Sequence, residues 1–299
     1  MTKQLAGVFA ALVTPLDLSG NIDWEAYRKV VDFVAARGVR GLCIGGGTGE
    51  YPHFDLADRL ELMRIARERL HGDQVLIAAI GSAPVHTTLK LGRAAMEMGY
   101  DALLVPPPFS YRLQQQDLQA FYERVIGELD ARILIYHYPH FGNALDLNTI
   151  RKLFQLGPRV VGLKDSSGVL DNVEAIGTME GREGRTLLMG DDRKILYSLG
   201  KGWQGSVSGV ASLCPEILCR VYERFVQGDA EGARQAQDAL NELIVELDRF
   251  PFPWAMHLGL PVRGIPTGAL AQELSAERKS QARQFTEWFP GWLQRHGID

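Results

Sequence analysis

Lys164 closes a short apolar run, residues 160–163 (Val-Val-Gly-Leu), and the polar stretch 165–168 (Asp-Ser-Ser-Gly) follows it directly. A short apolar run bounded by polar residues is typical of a buried strand. The ammonium group of Lys164 would then lie where the strand leaves the core, partly removed from water. Desolvation lowers the pKa of a lysine and provides a neutral amine that can form a Schiff base with a ketone. The alternative is a solvated lysine that merely ends a strand.

Lys164 ends the sixth of eight apolar runs, and the segments between these runs have helical periodicity. The runs cover residues 8–13, 41–44, 75–80, 102–105, 133–136, 160–163, 187–189 and 205–207. Because they are continuously apolar and do not alternate, they indicate strands that are buried on both faces, as in parallel sheets. In the first intervening segment, Val30, Val31 and Val34 recur at helical spacing, with Asp23 as the predicted N-cap and Gly38 as the terminator.

Eight strand–helix units predict an α/β protein with a closed (β/α)8 barrel, a TIM barrel, over residues 1–214. A doubly wound open sheet also alternates strands with helices, but eight units in about 210 residues favour closure. Residues 215–299 show only helical patterns and are predicted to form a C-terminal extension packed on the barrel.

The composition limits the classes of function. Of 299 residues, 23% are charged, and the net charge of -4 without a basic cluster argues against a nucleic-acid partner. Three cysteines without a CxxC pair indicate reduced thiols. The N-terminus lacks the apolar stretch of a signal peptide, and no run is long enough to span a bilayer. We therefore expect a cytoplasmic protein without a membrane partner.

In a barrel of this type the active site lies at the carboxyl ends of the strands. The second, fifth and sixth strands end in the glycine-rich turn 45–50 (Gly-Gly-Gly-Thr-Gly-Glu), in Tyr136 and in Lys164. The turn does not fit the nucleotide fingerprint GxGxxG, and its backbone N–H groups could instead form a nest for a carboxylate, with Thr48 as an additional donor. A merely tight turn is the alternative. Tyr136 is either an ordinary strand-end aromatic residue or a proton shuttle beside Lys164.

Two other clusters have weaker interpretations. The HxxH spacing of His137 and His140 could suggest a metal, but Pro139 disfavours a helix there and no third ligand with suitable spacing is present, so no metal site is predicted. Asp191 and Asp192 follow the seventh strand directly. Consecutive side chains diverge, so binding substrate hydroxyl groups or capping the next helix is the favoured interpretation.

These motifs, in this order, resemble the dihydrodipicolinate synthase and N-acetylneuraminate lyase superfamily of class I aldolases over nearly the whole chain. The resemblance rests on residues 47–50 (Gly-Thr-Gly-Glu), 135–139 (Ile-Tyr-x-x-Pro), 161–165 (Val-Gly-Leu-Lys-Asp), 190–192 (Gly-Asp-Asp) and 205–209 (Gly-x-x-Ser-Gly). It implies a Schiff base between Lys164 and pyruvate or another 2-oxo acid, with Tyr136 as acid and base. The substrate carboxylate would bind the amides of Gly47 and Thr48. A homotetramer or dimer is also implied, and no cofactor is required because the imine serves as the electron sink.

Three departures from the pattern restrict the choice of member. Gly47 stands where the synthases carry the first of two adjacent hydroxyl residues, and Phe109 stands where they place a tyrosine that reaches a neighbouring subunit. His140 and Phe141 occupy the place of an arginine that holds the carboxylate of their aldehyde substrate. Residues 136–139 are instead more similar to the 2-keto-3-deoxygluconate aldolases.

The missing tyrosine leaves the second member of the proton relay open, and Tyr111, His137 and His53 are the candidates. Arg112 or Arg263 could supply a cation in place of the missing arginine.

The predicted activity is that of a Schiff-base-forming lyase, an aldolase or a dehydratase, which acts on a 2-oxo acid such as pyruvate or a 2-keto-3-deoxy sugar acid. Lys164 is the predicted nucleophile and Tyr136 the predicted proton shuttle. The predicted substrate-binding residues are Gly47, Thr48, Ser166, Gly190, Asp191 and Ser208. The alternatives are a dihydrodipicolinate synthase and a barrel that has lost catalysis and only binds a 2-oxo acid.

Overall fold

The computed structural model describes residues 3–299. Within this range, parallel strands form a closed barrel in which every strand pairs with its neighbours in sequence and the last strand pairs with the first. The strands are β1 (Gly7–Ala11), β2 (Gly41–Ile44), β3 (Val75–Ala79), β4 (Ala102–Val105), β5 (Ile133–His137), β6 (Val160–Asp165), β7 (Thr186–Met189) and β8 (Gly205–Ser208). The predicted TIM barrel is confirmed.

Helices follow the strands in alternation and then form the C-terminal part of the chain. They are α1 (Trp24–Ala35), α2 (Leu56–Arg69), α3 (Val85–Glu97), α4 (Gln115–Glu128), α5 (Leu147–Phe154), α6 (Leu170–Gly177), α7 (Ile195–Gly200), α8 (Pro215–Val226), α9 (Ala230–Leu247), α10 (Trp254–Gly259) and α11 (Ala276–Arg295). The predicted helical extension is present. The division of the chain at residue 214 stays a prediction, since α8 packs on β1 as well as on α9. No helix within residues 3–299 is long and apolar enough to cross a membrane.

The first helix shows how the local sequence sets the ends of an element. Asp23 is the N-cap of α1, and its side chain accepts a hydrogen bond from the backbone N–H of Ala26. Beyond the last turn, Gly38 has a φ of 76°, a conformation that glycine adopts without steric cost. The predicted N-cap and terminator of this helix are both confirmed.

The core has two layers, one inside the barrel and one between the strands and the helices. Successive side chains of a strand point to opposite faces. In β5, Leu134 and Tyr136 therefore enter the interior, whereas Ile133 and Ile135 pack against the helices. Burial on both faces explains why the strands appear in the sequence as continuous apolar runs.

Candidate active site

A cavity of about 280 Å³ opens at the carboxyl ends of the strands. Residues 250–253, which connect α9 to α10, form part of its wall, so the C-terminal extension contributes to the site. Most of the predicted site residues line this cavity: Gly47, Thr48, Tyr136, Lys164, Ser166, Gly190 and Asp191.

Lys164 is buried, with only 6% of its surface exposed. Burial lowers the pKa of its amine from 10.5 to about 8, while nearby Cys43 and Asp192 act in the opposite direction. A substantial fraction of the amine is therefore neutral close to physiological pH, which a nucleophile requires. This environment matches the desolvated strand end predicted from the sequence rather than a solvated lysine.

Tyr136 lies beside Lys164 because the two residues are direct partners in the register between β5 and β6. The Nζ atom of Lys164 is 4.4 Å from the centre of the Tyr136 ring. Burial raises the pKa of Tyr136 above its usual value, so the phenol holds its proton at neutral pH. The hydroxyl of Ser166 donates a hydrogen bond of 3.4 Å to the Tyr136 oxygen. Tyr136 is thus a protonated, buried acid next to the amine.

The space around the Lys164 side chain depends on Gly190. A Cβ atom at this position would lie 2.6 Å from Cε of Lys164 and 1.9 Å from Oγ of Ser166. Both separations are far below van der Waals contact, so a larger residue at position 190 would displace the lysine or the serine. Glycine here keeps the lysine side chain in place.

The glycine-rich turn forms a short 3-10 helix, Gly47–Gly49, and two buried groups hold it. The hydroxyl of Thr14 donates to the carbonyl of Gly49 at 2.9 Å. Glu50, which follows the turn with a φ of 53°, forms a hydrogen bond of 2.9 Å with Nε2 of His257. Since His257 belongs to α10, the turn is tied to the C-terminal extension.

The residues after β7 form an acidic wall that also contains an arginine. The Asp191 side chain accepts a hydrogen bond from the backbone N–H of Arg193 and caps the 3-10 helix Asp192–Lys194, as the capping interpretation predicted. Burial raises the pKa of Asp192 to about 6, although a hydrogen bond with Ser208 and the charge of Lys164 oppose this shift. Arg193 forms an ion pair with Asp248. The wall consists of Asp191, Asp192 and Arg193, and all three line the cavity.

Ser208 lies behind the cavity wall and is fully buried. Its oxygen accepts a hydrogen bond of 3.0 Å from the backbone N–H of Ala211, and its side chain also bonds to Asp192. In this position it supports Asp192 and is not among the residues that line the cavity.

The three candidates for the proton relay lie outside the Lys164 cavity. Tyr111 is 78% exposed. His137 faces away from the barrel interior, and its Nδ1 atom lies 3.0 Å from Oδ1 of Asp165. His53 lines a second, adjacent cavity of about 320 Å³ and lies 3.8 Å from Glu50.

The two arginines considered as a distal cation do not line the Lys164 cavity either. Arg263 is bound to Glu216, and Arg112 is exposed. Arg193 is the cation that the sequence analysis missed. Its position immediately after the acidic pair at the end of β7 was the available signal.

Sequence analysis also missed Tyr138, whose ring is stacked on that of Tyr136. The ring centres are 4.9 Å apart and the planes differ by 7°. Tyr138 lines both cavities, together with Gly47 and Phe141. The signal was its spacing, because residues two apart in an extended segment share a face.

Within the described range, no group of three or more histidine, cysteine, aspartate or glutamate side chains is arranged to hold a metal ion. A buried lysine with a lowered pKa, beside a protonated tyrosine at the carboxyl end of a (β/α)8 barrel, is the arrangement of a lyase that acts through a Schiff base.

Comparison with known proteins gives the family. The sequence profile of the dihydrodipicolinate synthetase family matches residues 4–287, and the chain belongs to this family. It is 29% identical over 257 residues to the 4-hydroxy-tetrahydrodipicolinate synthase of Acidithiobacillus ferrooxidans, a match that covers 84% of this chain and 87% of the relative. It is 26% identical over 246 residues to a 2-dehydro-3-deoxy-D-gluconate/2-dehydro-3-deoxy-phosphogluconate aldolase of Picrophilus torridus, with 82% and 91% covered.

The fold agrees with this assignment. The crystal structure of a dihydrodipicolinate synthase from Aquifex aeolicus superposes with a TM-score of 0.89 at 24% identity and covers 98% of this chain and 99% of its own. The predicted resemblance is confirmed. The protein is an enzyme of the lyase class, a Schiff-base-forming lyase that acts on a 2-oxo acid.

Proposed function

We propose that this enzyme is an aldolase that cleaves a 2-keto-3-deoxy sugar acid into pyruvate and an aldehyde through an imine on Lys164. The observation that carries the proposal is the pairing of Lys164 with Tyr136 across β5 and β6, where burial lowers the pKa of the amine to about 8. The nucleophile and the acid are therefore adjacent. The phenol holds its proton, and a substantial fraction of the amine is neutral near physiological pH.

Imine formation begins when the neutral Nζ of Lys164 attacks the C2 carbonyl of the substrate. A proton moves from nitrogen to oxygen and gives the carbinolamine. Tyr136 then donates its phenolic proton to the C2 hydroxyl, which leaves as water, and the nitrogen lone pair forms the protonated imine. This general acid step typically contributes on the order of 10²–10⁴-fold.

Carbon–carbon cleavage uses the phenolate that remains. Tyr136 takes the proton of the C4 hydroxyl, the C3–C4 bond breaks and the aldehyde departs. The electron pair of the broken bond moves into the imine and gives an enamine. Tyr136 returns the proton to C3, which converts the enamine into the protonated imine of pyruvate. Water hydrolyses this imine and pyruvate leaves. The extra proton on the nitrogen then passes to the Tyr136 phenolate, which restores the neutral amine and the phenol. The imine accepts the electron pair, so this mechanism needs no cofactor.

Substrate binding divides between two ends of the cavity. The amides of Gly47 and Thr48 in the 3-10 turn bind the C1 carboxylate, since a nest of backbone N–H groups suits an anion. Ser166 supports the proton shuttle through its hydrogen bond to Tyr136. At the other end, Asp191 accepts hydrogen bonds from substrate hydroxyl groups, and Gly190 and Ser208 keep the lysine and the acidic wall in place.

One observation favours a second candidate, dihydrodipicolinate synthase. Arg193 lines the cavity and could bind the carboxylate of an aspartate semialdehyde substrate. Its ion pair with Asp248 already balances its charge, however, and Asp191 and Asp192 beside it would repel a second carboxylate. The acidic wall therefore favours a hydroxylated distal half.

The decisive experiment has two arms. Incubation with pyruvate and borohydride should add a reduced pyruvyl group to Lys164, detected by peptide mass. The value of kcat/KM for pyruvate release from 2-keto-3-deoxygluconate should exceed that for condensation of pyruvate with aspartate semialdehyde. A preference for the semialdehyde would establish the synthase instead. A third outcome is that Lys164 stays unmodified at saturating pyruvate and that the methyl protons of pyruvate do not exchange. This outcome would support the alternative that the barrel only binds 2-oxo acids.

The proposed setting is a cytoplasmic homo-oligomer, a tetramer or a dimer, whose partner is a small-molecule 2-oxo acid. The three buried, unpaired cysteines suit a reducing compartment. Tyr111 and Phe141 are exposed aromatic residues near the mouth of the barrel. They form a surface that suits contact between subunits. Sedimentation at several protein concentrations tests the oligomeric state.

A further inference from the structure

The phenol of Tyr136 lines the Lys164 cavity, but little of the residue is exposed to solvent. Only 5% of its surface is exposed. The proposed shuttle nevertheless has to exchange protons with solvent whenever a carbon-bound proton of pyruvate is replaced by one from water. A second protonatable group beside the Tyr136 phenol would speed this exchange.

Tyr138 is placed between Tyr136 and the outer cavity. Because it follows Tyr136 by two residues in an extended segment, both side chains leave the strand on the same side. Their rings are parallel within 7° and 4.9 Å apart. Tyr138 lines the Lys164 cavity and also the adjacent cavity of about 320 Å³, which Tyr136 does not line.

Gly47 makes the room that the Tyr138 ring occupies. A Cβ atom at position 47 would lie 3.3 Å from Cε1 of Tyr138 and 3.5 Å from its hydroxyl oxygen. The first distance is shorter than the optimal carbon–carbon separation of about 3.5–4.0 Å. The Tyr138 hydroxyl therefore occupies the region that a hydroxyl-bearing side chain at position 47 would enter. Glycine at 47 and tyrosine at 138 are sterically matched.

Two other protonatable groups of the cavity are engaged elsewhere. The Nε2 atom of His140 lies 3.2 Å from the carbonyl oxygen of Ser167. The Asp191 side chain accepts a hydrogen bond from the backbone N–H of Arg193. Burial raises the pKa of Tyr138 above its usual value, as it does for Tyr136. Because the pKa values of both phenols are raised, a proton can move from one oxygen to the other without being held permanently by either.

We propose that the hydroxyl of Tyr138 relays protons between Tyr136 and the solvent of the outer cavity. The Tyr136 phenolate takes a proton from Tyr138, and the resulting Tyr138 phenolate takes one from water. Each transfer breaks one O–H bond and forms another. A transfer of this kind needs hydrogen-bond reach or one intervening water. This inference rests on the proposed imine chemistry of Lys164. It assigns the second residue of the proton relay, since the candidates Tyr111, His137 and His53 lie outside the Lys164 cavity.

The variant Tyr138→Phe keeps the ring and its stacking and removes only the hydroxyl. Exchange of pyruvate methyl protons with deuterated water should slow by roughly 10-fold to 100-fold, since the loss of an acid–base group costs about that much or more. Cleavage should slow less, because Tyr136 recycles its own proton during that reaction. Borohydride trapping at Lys164 and the thermal midpoint should remain those of the wild type.

The two proposals fail in different ways. Absence of trapping in the wild type would reject the imine on Lys164. Normal trapping in both proteins, combined with an undiminished exchange rate in Tyr138→Phe, would overturn the relay alone.

A second pair of variants separates the hydroxyl from the packing. Tyr138→Val empties the space against the turn, and Gly47→Ser then supplies a hydroxyl there, whereas Gly47→Ala supplies the same backbone constraint without one. The Gly47→Ser/Tyr138→Val protein should exchange methyl protons faster than the Gly47→Ala/Tyr138→Val control. Equal exchange rates in these two proteins would contradict the relay.

Discussion

Replacing Lys164 by methionine should make the protein more stable at neutral pH while abolishing imine formation. The side chain is 6% exposed, and burial lowers the pKa of its amine from 10.5 to about 8. A pKa that is lower in the folded state means that folding disfavours the charged amine. The folded protein therefore carries a cost at pH 7 that an uncharged side chain of similar length does not carry.

The magnitude follows from the two pKa values. One pKa unit corresponds to about 1.4 kcal/mol, so the interval from 10.5 to about 8 corresponds to about 3 kcal/mol. The full cost is present below pH 8, declines between pH 8 and 10.5, and vanishes above that range. The charge of Asp192 raises the pKa of the lysine, so its favourable effect is already included in the value of about 8. We expect a net stabilisation of about 3 kcal/mol at pH 7.

Scanning calorimetry at equal protein concentration measures this effect. For a chain of this length, about 3 kcal/mol raises the thermal midpoint by roughly 5 °C. The control is Lys201→Met, because Lys201 is 44% exposed and forms a surface ion pair with Glu174, so this variant should gain nothing. A Lys164→Met protein that is no more stable than the wild type at pH 7, or whose gain persists unchanged at pH 10.5, would refute the argument.

Two predictions concern the rate of reaction. The rate of imine trapping at subsaturating pyruvate should rise with pH with a midpoint near pH 8, because burial lowers the pKa of Lys164 to about 8 and only the neutral amine attacks. A midpoint near 10.5 would show that the amine is solvated. Tyr136→Phe should lose turnover by about 10²–10⁴-fold while Lys164 is still trapped, though more slowly, and retained turnover would exclude Tyr136 as the proton shuttle.

The barrel and the main site residues could be predicted because their signals are local. Strands buried on both faces leave continuous apolar runs, and the closed barrel brings their polar ends together. Tyr136 and Lys164 stand at such ends and do line one cavity. The sequence did not predict the position of Ser208. Its side chain does not line the cavity but forms a hydrogen bond with Asp192.

Features that depend on the path of loops were not predictable. Residues 250–253 are some 90 residues after Lys164 in the chain, yet they form part of its cavity wall. Arg193 faces the cavity because the chain turns into a 3-10 helix after β7. His137 could have been excluded as a relay, since it directly follows the inward-facing Tyr136 and must face the helices.

The pairing of Tyr136 with Lys164 depends on an irregularity that no periodic pattern in the sequence reveals. Ile133 pairs with Val160, but Leu134 pairs with Gly162, so β6 contains one extra residue at this point. Such a bulge shifts all later pairs by one position. Without it, Tyr136 would lie opposite Leu163, and Lys164 would pair with His137 and face the helices. The bulge at residues 161–162 thus turns the lysine into the barrel, and it places Asp165 on the outer face, where it binds His137. One residue of register therefore decides whether Lys164 faces the barrel interior or the helices.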